Sequence, residues 1–104
     1  MTTRIVLLAA LVVAAAVTRA RAGADDGKAL YDQKCKICHS IGGEGGKMAS
    51  NGGPLDKVAT KRDAKWLHDF IQDPKSKMPD AKMPKAKLDD KQLDDVVAYL
   101  MTLK

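Results

Sequence analysis

Beyond residue 24 the chain has 80 residues and only four aromatic side chains, Tyr31, Trp66, Phe70 and Tyr99, with which to build a core. A chain of that length buries only about 60% of its unfolded surface, so small domains usually lean on a disulfide, a metal or a cofactor. Something besides this chain's own side chains must supply apolar mass. Without it the chain is expected to be largely unfolded, because ordering each residue costs on the order of 1–2 kcal/mol.

The boundary at residue 24 comes from hydropathy. Arg4 precedes an apolar run of 13 residues, Ile5 to Val17, followed by small residues with Arg19 and Arg21 among them. That run is well short of the roughly 20 residues a spanning helix needs. A basic start, a short apolar stretch and A-x-A-like positions at Ala20/Ala22 and Ala22/Ala24 read as a secretory signal. Residues 1–24 are therefore expected to be a cleaved leader and residues 25–104 the domain. The competing reading, an uncleaved membrane anchor, has nothing to lengthen the apolar run. The leader holds three of the 18 basic residues and none of the 13 acidic ones, so the formal charge of the body falls from +5 to +2. A nucleic-acid protein of this size keeps a strongly basic body, and this one does not.

The body shows no repeat and no strand-like alternation, while three stretches carry helical periodicity, so an all-α domain is expected. The first helix is predicted from Asp25 or Asp26, as a cap, to about Lys34. A second is predicted from Asp63 to about Gln72, with Trp66, Leu67, Phe70 and Ile71 on one face and Pro74 ending it. A third opens on Asp89, with Gln92 completing a capping box, and carries Leu93, Val96, Val97, Leu100 and Met101 on one side. Six glycines between Ser40 and Pro54 predict a loop that turns tightly or lies against something flat. Three prolines between Pro74 and Lys87 predict a stiff, extended loop presenting Met78 and Met83.

The only two cysteines fall in Cys35-Lys36-Ile37-Cys38-His39. Two thiols one helical turn apart can each add across a vinyl group of a haem. The adjacent histidine then lies under the ring with an imidazole nitrogen aimed at the iron. Such attachment is made outside the cytoplasm, which agrees with the leader. Three other readings are weaker. A C-x-x-C disulfide closes too short a loop to constrain the unfolded chain much. A thioredoxin-like redox pair belongs with a βαβ pattern that is missing here. Zinc would need His39, crowded against Cys38, and His68 to complete its ligands.

The sixth position on such an iron has several nominees. His68 lies off the apolar stripe of its helix and reads as a surface histidine. Met101 reads as core, and Met48 carries no signal. Met78 and Met83 remain, and a thioether on haem iron favours the ferrous state and raises the potential.

At this point the chain resembles the small class I c-type cytochromes over its whole body. The resemblance rests on Cys35-x-x-Cys38-His39 directly after a helix carrying Gly27 and Tyr31, on Gly53-Pro54-Leu55, on a late Met-Pro, and on Ala98-Tyr99-Leu100 in the last helix. It implies a cytochrome c fold, three or four short helices wrapped around one covalent haem c. Met83-Pro84, followed by Leu88 and the acidic cap Asp89, has the register of the family's ligand methionine, and Met78 lies five residues earlier. Cys35, Cys38, His39 and Met83 are thus the implied haem-binding residues, with His39 and Met83 as iron ligands. The resemblance also implies that Pro54 offers its carbonyl to His39, that Gly27 and Tyr31 cross Tyr99 and Leu100, and that Trp66 packs near the haem edge.

The function implied is that of a soluble, monomeric, periplasmic one-electron carrier, not an enzyme. Two protein ligands on the iron leave no position for substrate. The alternatives are a five-coordinate haem protein acting as a weak peroxidase or gas binder, and an electron-entry subunit of a larger oxidoreductase. Residues 75–87 hold five lysines against one aspartate. Bordering the ligand loop, they are expected to meet redox proteins through an acidic docking surface.

Overall fold

A computed structural model describes residues 23–104. The leader expectation falls almost wholly on residues outside that range. Helix α1 occupies residues 23–34, so Asp25 and Asp26 lie inside it and do not cap it. Asp26 is instead engaged across the fold, 3.7 Å from Lys91. A two-residue hairpin follows, β1 (Ser40–Ile41) against β2 (Glu44–Gly45). Then come α2 (Ala49–Gly52), α3 (Val58–Lys61), α4 (Ala64–Gln72), α5 (Pro74–Lys77) and α6 (Asp90–Leu100).

Three long helices make the frame, as their periodicity predicts, and three single turns join them in place of plain loops. The glycine-rich stretch turns tightly, as expected, with Gly42 and Gly43 both at positive φ, 59° and 79°. That is the twist a two-residue hairpin turn demands, and glycine takes it without a Cβ penalty. The proline-rich stretch departs at its start, where Pro74 occupies the first turn of α5, a position that needs no amide hydrogen. Beyond α5 the segment has no regular structure up to α6.

The caps of α4 and α6 are those the sequence specifies. Asp63 accepts a hydrogen bond from the Trp66 amide at 2.8 Å. Asp89 accepts from the Gln92 amide at 2.8 Å, and the Asp89 amide donates to Gln92 Oε1 at 3.0 Å, a complete capping box.

The core lies where α1, α4 and α6 meet. Tyr31, Leu67, Ile71, Leu93, Val96, Val97 and Leu100 are buried there, each less than a tenth exposed. Gly27 is the point of closest approach of α1 and α6. A Cβ on it would overlap the carbonyl of Asp95 and lie 2.9 Å from Tyr99 Cβ. Tyr31 and Tyr99 pack beside this crossing with ring centroids 5.7 Å apart. The helix crossing implied by the resemblance is therefore present. Trp66 is held on α4 by two neighbours. It stacks on Phe70 at 4.8 Å and lies under the Arg62 guanidinium at 4.0 Å, a pairing of a cation with an aromatic face.

Candidate functional site

The Cys35–His39 segment grows directly out of α1. The Tyr31 carbonyl accepts from the amides of both Cys35 and Lys36, at 2.9 and 3.0 Å. The Cys35 carbonyl in turn accepts from the Cys38 and His39 amides, both at 3.1 Å. The chain thus winds one tight turn, which sets both thiols and the imidazole at the C-terminal end of α1. Both cysteines are free thiols and half-buried. Burial pushes the Cys35 thiol up, against the opposing pull of Lys34.

Cys35, Cys38, His39 and Met83 all line one cavity of about 330 Å³. Its other walls include Leu30 of α1, Leu88 of the loop before α6 and Val96 of α6, so the lining is largely apolar. Its volume lies within the range of small-molecule and cofactor sites. Met83 reaches this wall on the loop between α5 and α6, which is tied to α4 where the Ala86 amide meets the Ile71 carbonyl at 3.4 Å. Met78 does not line the cavity; it closes α5 and is 47% exposed. His68 stands on α4 near Asp69, 3.4 Å away, and away from the cavity.

The His39 ring is held differently from the resemblance's expectation. Its Nδ1 lies 3.2 Å from the carbonyl oxygen of Gly53, not of Pro54. The reason is local: Gly53 has φ 77° and ψ 177°, a backbone state open in practice only to glycine. Its carbonyl also accepts from the Ser40 amide at 3.3 Å, while the Leu55 amide donates to the Ser40 carbonyl at 2.9 Å. This bridge pins the Gly53-Pro54 segment alongside β1. With Nδ1–H committed to Gly53, Nε2 keeps its lone pair for a metal. Sequence reasoning singled out the glycines as a class and missed Gly52 and Gly53 as the residues shaping the histidine's surroundings. The Gly52-Gly53-Pro54 triplet was the available signal.

Among the described residues no group of three or more His, Cys, Asp or Glu side chains is placed to hold a metal. That removes the zinc reading, and the two-residue hairpin offers no βαβ unit for a thioredoxin-like one. A haem fits instead: two free thiols one turn apart, an imidazole with one nitrogen committed, and an apolar hollow between them. The family model for cytochrome c matches residues 24–104. The chain belongs to the cytochrome c family. No curated protein and no solved structure matches it. It is a small monohaem c-type cytochrome that binds covalent haem c with its iron, and its chemistry is haem-based electron transfer. Cytochromes of this family are typically electron carriers rather than enzymes, and their partners are redox proteins. Among the described residues of this cytochrome, no helix is long and apolar enough to cross a membrane.

Proposed function

We propose that this cytochrome is an exported, soluble, monomeric one-electron carrier, with haem held by Cys35 and Cys38 and its iron ligated by His39 and Met83. The observation that carries the reading is the common cavity wall shared by these four side chains. The haem, when bound, supplies a one-electron ferric–ferrous couple. The protein's part is to hold it. Cys35 and Cys38 anchor its edge, Gly53 keeps the proton on His39 Nδ1, and Leu30 and Val96 keep water from one side of the cavity. Export is supported by the leader composition and by a family match that starts at residue 24, beside the expected cleavage point.

The lysines near the ligand loop divide into two groups. Lys77 lies 3.7 Å from Asp69 and Lys85 lies 3.9 Å from Asp73. Lys75, Lys82 and Lys87 form no ion pair among the described residues, which leaves their charge for an acidic partner surface and for fast, salt-sensitive encounter. Electron transfer to the physiological acceptor should slow with rising ionic strength, and Lys75→Glu/Lys82→Glu should slow it at low salt without moving the potential. Rates indifferent to both would reduce these lysines to a solvated surface.

Visible spectra of the oxidised and reduced protein, with haem staining after denaturing electrophoresis, test the central reading. The expected result is covalent haem with a far-red ferric band from methionine ligation. A high-spin ferric spectrum, or a reduced form that binds carbon monoxide at once, would instead establish the five-coordinate alternative.

A further inference from the structure

Gly52 is the last residue of α2 and has no positive φ, so its backbone is one that alanine also adopts. Alanine would even be the better helix former. The bare Cα therefore answers a need of packing, not of conformation. A Cβ at Gly52 would overlap the carbonyl oxygen of Cys38 and stand 2.7 Å from both Cε1 and Nδ1 of His39. The same ring edge carries the Nδ1 that meets the Gly53 carbonyl at 3.2 Å. Gly46 offers a contrast within the same loop: the three atoms its Cβ would meet first are Ile37 Cα at 2.7 Å and the Ile37 and Lys36 carbonyl oxygens, none of them on His39.

We propose that Gly52 is a positioning residue for the axial imidazole: its bare Cα is the seat that lets the His39 ring lie against α2 within reach of the Gly53 carbonyl. The inference rests on His39 being the iron ligand, as proposed above. A methyl at position 52 forces α2 away from both the Cys38 carbonyl and the ring edge, and so lengthens the Nδ1–H bond to Gly53. That bond makes the imidazole a more basic ligand, which favours ferric iron. Weakening it shifts the balance toward ferrous iron.

The test is Gly52→Ala, with Gly46→Ala as the control, each as haem-loaded protein. Gly52→Ala should raise the midpoint potential by an amount equal to about a tenfold change in the ferric–ferrous constant, ~59 mV for one electron. It should also move the paramagnetically shifted ring resonances of His39 in the ferric NMR spectrum. Gly46→Ala should lower stability and leave both readouts in place. If Gly52→Ala loads haem poorly, the loaded fraction is read, since potential and chemical shift do not depend on yield. Wild-type values of both readouts in Gly52→Ala, or an equal shift in Gly46→Ala, would overturn the inference. A wild-type spectrum without histidine ligation would overturn the assignment of His39 itself, a separate and earlier failure.

Discussion

The helical frame and the segments that line the haem cavity are held by different forces. In the frame, α1, α4 and α6 bury Leu67, Leu93, Val96, Leu100 and their neighbours, and the stabilisation comes from apolar area removed from water. Around the cavity, single turns and irregular chain are held by backbone hydrogen bonds such as Ser40 to Gly53 and Leu55 to Ser40, and by close approaches to glycine. The frame tolerates exchange of one apolar side chain for another of similar volume. The cavity wall depends on single atoms in single places. A substitution in the frame should therefore appear as stability, and one in the wall as spectrum and potential.

Met83→Ala tests the wall most severely. It should abolish the far-red ferric band, lower the potential and open the iron to added imidazole or carbon monoxide, while Met78→Ala leaves all three unchanged. The opposite pattern would place the ligand at the exposed Met-Pro and break the comparison on the wall's side.

Gly27→Ala tests the frame. With the Asp95 carbonyl in the way of a Cβ, α1 and α6 must separate, and overpacking of this kind costs about 1–3 kcal/mol. Denaturant unfolding of the haem-loaded protein should show that loss with the absorption spectrum unchanged. A large change in haem ligation at little cost in stability would mean that frame and wall are not separable.

The smallest effect sharpens the frame's side. Tyr31 is 2% exposed, and its hydroxyl has no hydrogen-bond partner among the described residues. A buried donor left unpaired costs about 1–3 kcal/mol, so Tyr31→Phe should stabilise by ~1 kcal/mol. The tyrosine also titrates out of range. Burial is the main cause that pushes it up from 10.0 to about 12. Because the folded value is the raised one, the folded state is stable below pH 10 and loses that stability as pH climbs toward 12. Tyr31→Phe should flatten that alkaline loss in a denaturation series; an unchanged pH profile would show that the hydroxyl is not buried as described.

Much of this was legible in the residue order. The long helices follow from apolar spacing and from two aspartate caps, both interactions between residues three or four apart that act before any tertiary contact forms. The Cys35–His39 motif carries its chemistry in its spacing for the same reason: one helical turn sets the thiols and the imidazole together. The cap expected at Asp25 or Asp26 failed because nothing in those residues marks where the helix begins, and Asp26 serves an ion pair with distant Lys91 instead. The one-turn helices α2, α3 and α5 were not legible, since four residues are too few to show a period.

The sequence alone determined the helix class, the capping residues and the attachment motif, because each depends on neighbours within a turn or two of chain. The register of the late Met-Pro already favoured Met83 over Met78; only the tertiary structure decided which carbonyl meets His39 and which glycines are bare for packing. Those outcomes depend on where residues 12 or more positions away from His39 come to rest, a separation well beyond one turn of chain.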